Sequence, residues 1–155
     1  MSTMSKTDAN ISENKNNILI TLLASICSLG PLATDMYLPA LPQMTLDFAT
    51  TPSIIQLTLT SWLIGLAIGQ VIAGPLSDIY GRTRPLVFGL IIFTISSVAC
   101  IFAPSIELFI FARFIGGFAA SSALVVSRAI ASDIYKGTML TKFLATVMII
   151  QGLAP

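Results

Sequence analysis

The chain has 155 residues, 55% of them hydrophobic and only 10% charged, with a mean hydropathy of +0.89. A soluble domain typically carries about 25% charged residues, so this balance excludes an ordinary water-soluble globule and defines an all-α integral membrane protein. The net charge of +1, with no basic run, excludes a nucleic-acid footprint; with no His and only Cys27 and Cys100 as thiols, the usual zinc sets cannot be assembled, so no metal or cofactor is expected. Both cysteines lie in apolar segments and read as small buried hydrophobes rather than a disulfide.

Residues 1–17 are rich in Ser, Asn and Thr and carry Lys6, Asp8, Glu13 and Lys15, too little apolar surface to offset ordering, and read as a disordered tail. The first span, residues 18–38, is uncharged up to Asp35 and has about the ~20 residues a bilayer requires. A signal peptide is the competing reading, against which stand the length of the apolar stretch and the lack of a clean small-x-small cleavage site. Within the span, Gly30-Pro31 is expected to kink the helix and free carbonyls. Pro39, Pro42, Asp47 and residues 50–53 read as a loop.

Spans at residues 54–76, 86–103 and 108–131 follow, separated by a charged turn at 77–85 and a tight reversal at 104–107. Gly74-Pro75 is expected to break the second span at the membrane surface. After a charged turn at 132–142, a fifth apolar run covers 143–155. About 12 residues of helix rise only ~18 Å, short of a hydrocarbon core of ~30 Å. The expectation is therefore a partial bundle over 18–155, four complete transmembrane helices plus part of a fifth, from the N-terminal end of a longer protein. Seven of the eight Lys and Arg residues fall on one side of these spans and Arg113 lies within one. By the positive-inside rule the N-terminus is cytoplasmic.

Small residues recur at helical spacing: Ser61, Gly65, Gly69 and Ala73 in the second span, and Gly116 and Ala120 beside Gly117 and Ser121 in the fourth. Such stripes let helices approach closely in lipid and argue for a compact bundle. Residues 74–86 read Gly-Pro-Leu-Ser-Asp-Ile-Tyr-Gly-Arg-Thr-Arg-Pro-Leu. Asp78 can face the positive end of a helix, Gly81 supplies a positive-φ turn, and Arg82 and Arg84 hold the turn on the cytoplasmic side. On composition alone this could equally be a polar connection.

The string resembles the signature of the major facilitator superfamily between its second and third helices, with Gly74, Leu76, Asp78, Gly81, Arg82 and Leu86 on matching positions. Ile79 stands where Arg is usual and Thr83 where Lys or Arg is usual. The resemblance implies an inner gate in which Asp78 faces a helix N-terminus of the second half of the molecule and Arg82 pairs with Asp133. Thr34-Asp35-Met36-Tyr37-Leu38-Pro39-Ala40-Leu41-Pro42, the stretch Arg113 to Ala120, and Arg128 to Tyr135 resemble the bicyclomycin and chloramphenicol resistance (Bcr/CflA) group of drug:proton antiporters. In the fourth-helix motif Gly116 replaces Gln and Ala119 replaces Gly. Residues 151–155 look like the opening of the antiporter motif of the fifth helix.

Asp35 lies ~26 Å from the cytoplasmic boundary of its span and Arg113 ~8 Å below the outer boundary of the fourth. Charges inside spans are costly unless they face a cavity or each other, so both are functional candidates. An interfacial carboxylate reaching water is the alternative for Asp35. Glu107 reads as a favourable charge at a helix N-terminus. Trp62, Phe111, Phe114 and Phe118 read as packing or lipid-facing residues. The function implied is an inner-membrane exporter exchanging protons for small amphiphilic drugs by alternating access, its cavity shared with a missing C-terminal half. Asp35 is then the proton-coupled carboxylate and Arg113 its electrostatic governor. A truncated non-transporting fragment and a self-assembling four-span exporter or scaffold are the alternatives, and an enzyme is disfavoured because no nucleophile with a base is visible.

Overall fold

The computed structural model describes residues 6–152, and every long apolar run of the sequence is a helix in it. Helix α1 is Lys6–Asp35, α2 Leu41–Asp47, α3 Pro52–Tyr80, α4 Thr83–Ile101, α5 Ile106–Ile134 and α6 Thr138–Gly152, with one 3-10 turn at Leu38–Ala40. Among the described residues, four helices are long and apolar enough to cross a membrane, and α6 is a shorter apolar helix. The last three residues of the fifth run lie outside the described residues.

Three local expectations are corrected. Of residues 1–17, read as a disordered tail, residues 6–17 belong to α1 and residues 1–5 lie outside the described residues. The segment contains neither Pro nor Gly, so a helix nucleated in the membrane meets no breaker as it propagates outward. The loop read at 39–53 contains α2, with a proline in its first turn, where the missing N–H costs no helical hydrogen bond. Helix α3 does not break at Gly74-Pro75 but runs on to Tyr80. A proline disfavours helix in the residue before it by meeting that residue's Cβ, and Gly74 has none. Helix α1 continues through Gly30-Pro31, which lies inside it.

The real ends are capped. Thr51 accepts a hydrogen bond from the Ile54 N–H ahead of Pro52, and Ser105 accepts one from the Leu108 N–H at 3.4 Å. Gly81 (φ 82°) and Gly137 (φ 58°) make the reversals after α3 and α5 in a backbone region that other residues rarely adopt.

Helix α5 is the hub: it packs against α1, α3, α4 and α6. Its seam with α3 is built from the small residues read in the sequence. A Cβ added at Gly65 would run into the Phe114 carbonyl, one at Gly117 into the Trp62 carbonyl, and one at Gly69 would lie 2.6 Å from the Phe118 carbonyl. At Gly116 an added Cβ would come within 2.7 Å of the Ser96 hydroxyl and 3.1 Å of the Trp62 ring. The backbones are therefore close enough for the Ser61 hydroxyl to share its proton between the Thr58 carbonyl of its own helix at 2.8 Å and the Ile110 carbonyl across the seam at 3.1 Å. Dispersion and this hydrogen bond associate the helices where lipid supplies no hydrophobic force. On the other flank, Ile20, Leu23, Ala24 and Cys27 of α1 pack with Phe143 and Val147 of α6 against Ala131 and Tyr135. Cys27 and Cys100 are free thiols.

Candidate functional site

Two arginines mark the two ends of α5. Arg113 lies two turns inside its N-terminal end and is buried at 9% exposure. Its guanidinium carbon stands 4.0 Å from the centroid of the Tyr37 ring and 4.7 Å from that of Trp62, a cation held between two aromatic faces. Each ring is itself fixed. Thr58 donates to the Ile55 carbonyl, so the Tyr37 hydroxyl donates its own proton to Thr58 Oγ1. Tyr37 also stacks on Phe109 at 6.3 Å, and Trp62 meets Phe93 edge-on at 6.1 Å. Tyr37 is placed by the short segment leaving α1, and Trp62 by the glycine seam, where Gly116 and Gly117 make room for it.

Beside the guanidinium lies a cavity of about 210 Å³, lined on one side by Arg113, Tyr37 and Trp62 and on the other by Ser97 and Cys100 of α4. Trp62 Nε1, Arg113 Nε and Arg113 Nη2 have no hydrogen-bond acceptor among the described residues. Asp35, the last residue of α1, is half-buried and forms no ion pair with Arg113. The two intramembrane charges read from the sequence are therefore not in contact in this structure.

About 30 Å away along α5 by helical rise, the second arginine is fully engaged. Arg82 Nε donates to Asp133 Oδ2 at 3.0 Å, and Arg82 Nη1 meets Asp78 Oδ1 at 2.5 Å and Ser77 Oγ at 2.7 Å. Arg82 thus ties the end of α3 to the end of α5 across the Gly81 turn. The hydrogen bond to Asp133 holds the guanidinium above its ordinary range, with the charges of Asp133 and Asp78 acting the same way. All three residues are substantially exposed, so the clamp is a wet one. In this structure Asp78 faces Arg82. Gly74 stands in open space, with nothing within 4 Å of an added Cβ, and Arg84 enters neither of the ion pairs among the described residues.

Sequence reasoning singled out both arginines and missed what holds Arg113. Tyr37 was read as part of a motif and Trp62 as a packing or lipid-facing residue. The signal available was the rarity of each: Trp62 is the single tryptophan of the chain, and it follows Ser61 in a helix whose small stripe must face a neighbour.

A bundle of four long apolar helices holding a buried cation near one end and a charged clamp at the opposite end is the architecture of a multi-pass membrane protein. The chain belongs to the Major Facilitator Superfamily, whose family model matches residues 22–155. It is 45% identical over 137 residues to an uncharacterized MFS-type transporter, YdgK, of Bacillus subtilis, covering 88% of this chain and 34% of the relative. It is 32% identical over 138 residues to a bicyclomycin resistance protein homolog of Haemophilus influenzae, covering 89% of this chain and 35% of the relative. With a chloramphenicol resistance protein of Pseudomonas aeruginosa the identity is 40% over 118 residues, 76% of this chain and 28% of the relative. These relatives place it with the Bcr/CflA-like branch of the superfamily. The chain spans about a third of the length of the curated relatives it matches. No solved structure matches it significantly.

Proposed function

We propose that the chain forms the N-terminal part of a proton-driven exporter of small amphiphilic compounds, lying in the inner membrane with its N-terminus in the cytoplasm and completed by a C-terminal half. The observation that carries this reading is Arg113, a nearly buried cation on the hub helix with no carboxylate in ion-pair contact. Such a charge is expensive in a membrane and is kept where its partner changes during the working cycle. In general a carboxylate drawn out of water holds its proton more firmly, and a guanidinium brought close releases it. Alternating access that moves Arg113 toward and away from Asp35 would switch the carboxylate between the two conditions. Gly74, Asp78, Gly81, Arg82 and Asp133 would form the inner gate, closed when the clamp is made and opened when Arg82 is pulled from its carboxylates. Gly65, Gly69, Gly116 and Gly117 would keep α3 and α5 moving as one body.

The test is efflux from membrane vesicles by the complete transporter at several imposed pH gradients, with chloramphenicol as the first compound because one relative is named for resistance to it. Asp35→Asn should abolish the dependence on the gradient while neutral-drug binding remains measurable, and Asp35→Glu should keep partial function. Wild-type pH dependence in Asp35→Asn would make Asp35 an interfacial charge and place the coupling elsewhere.

A further inference from the structure

Around Arg113 the protein supplies hydrogen-bond donors without acceptors to match. Three buried N–H groups on two adjoining side chains, Trp62 Nε1, Arg113 Nε and Arg113 Nη2, lack an acceptor among the described residues. Both side chains line the same cavity of about 210 Å³. The hydroxyls on its α4 wall donate elsewhere: Ser96 to the Ala112 carbonyl at 2.6 Å and Ser97 to the Phe93 carbonyl at 2.8 Å. Arg113 is nine-tenths buried, and neither ion pair among the described residues involves it. Buried polar groups are as a rule hydrogen-bonded, and buried charges are paired.

We propose that this cavity is a binding site for a small monovalent anion, seated against the free N–H groups of Arg113 and the Trp62 indole. Each property of the ligand follows from the wall. It accepts hydrogen bonds, because the unmatched groups are donors. It carries one negative charge, because one guanidinium is there to be neutralised and a second charge would be stranded. It is weakly hydrated, because the Phe93, Phe109 and Ala33 surfaces offer nothing in exchange for a tightly held water shell. It is small, since the cavity measures about 210 Å³. The site is independent of whether Asp35 carries the proton.

Trp62 makes binding measurable, because it is the chain's only tryptophan and, at 2% exposure, is shielded from collisional quenching by ions in water. Iodide, a quencher, is titrated against the 155-residue chain in neutral phosphatidylcholine vesicles, with sodium sulfate holding ionic strength constant. The expected result is a saturating loss of fluorescence that chloride reverses and sulfate does not. Arg113→Gln should raise the half-saturating iodide concentration about tenfold or more, as loss of charge-assisted hydrogen bonds requires. Arg113→Lys should fall between the two, and Asp35→Asn should retain binding. Absent or unsaturable quenching in the unmodified chain, or saturation that chloride leaves unchanged, overturns the proposal whether or not the Arg113→Gln chain folds. So does an Arg113→Gln chain of full helicity that still binds iodide as well as the unmodified one.

Discussion

Arg113, on α5, and Arg82, which reaches the far end of α5 from the turn after α3, carry the same group and meet opposite environments. Arg82 is partly exposed and has two carboxylates; Arg113 is buried and has two aromatic rings and, among the described residues, no carboxylate in ion-pair contact. In water an ion pair gains little, because the medium already screens the charges and the side chains lose freedom in pairing. In the bundle an arginine without its anion gains only from the ring faces and still lacks acceptors for its N–H groups. The clamp at Arg82 is therefore inexpensive to open, which suits a gate. The box at Arg113 is a costly arrangement that stability alone does not explain, which suits a site.

The comparison is sharpest at the residues that support each end. Trp62→Leu removes a ring face worth about 2 kcal/mol to a desolvated cation and opens a void in a tight seam. It should destabilise the chain in detergent unfolding by about 4 kcal/mol in total, whereas Trp62→Phe should recover about half of that loss because a ring face remains. Next in size, Gly117→Val should cost about 3 kcal/mol, since its Cβ would meet the Trp62 backbone carbonyl, which has no rotamer to escape into. By contrast Gly74→Ala meets no neighbouring helix, only the ring of Pro75 next in the chain, so this local clash offsets the roughly 0.5–1 kcal/mol that alanine gains over glycine in a helix and the net change should stay well below the loss at Gly117. An equal loss at Gly74 and Gly117 would dissolve the distinction between the packed seam of α3 with α5 and the open end of α3.

Smallest is the clamp itself. Arg82→Gln should cost about 1 kcal/mol or less, and the difference should shrink as salt is raised toward 1 M, where the screening length falls to ~3 Å. Its pH dependence has a definite sign. Asp133 raises the Arg82 guanidinium above its unfolded value, so this contribution is complete below that value and is lost only in strong alkali. Unfolding compared between pH 6 and pH 9 should show no change that Arg82→Gln removes.

The sequence made the scaffold legible because bilayer physics is blunt: uncharged runs of the right length had to be helices, and stripes of small residues had to be seams. Gly65, Gly69, Gly116 and Gly117 lie in close packing as their spacing implied. Helix ends were harder to read. Gly74-Pro75 carries the composition of a breaker, yet a glycine before proline removes the clash that makes proline break a helix. The charged residues of both ends were visible from their rarity, and the pairing of Arg82 with Asp133 followed from a resemblance rather than from spacing. What stayed hidden was the company of Arg113. A residue that leaves α1 at Tyr37 and one a turn above Gly65 converge on it only through the crossing of three helices, a property of packing that no local pattern encodes.

The central claim is that Arg113 works through its guanidinium and Arg82 mainly through its charge. One measurement addresses it directly: pH-gradient-driven drug efflux from vesicles bearing the complete transporter with lysine placed at each arginine in turn. Lysine keeps the charge but loses the planar fork and the flat face that lies between two rings. Arg113→Lys should reduce gradient-driven efflux about tenfold or more, while Arg82→Lys, still able to pair with Asp78 or Asp133, should retain most of it. Equal tolerance of lysine at both positions, or greater loss at Arg82, would contradict the account.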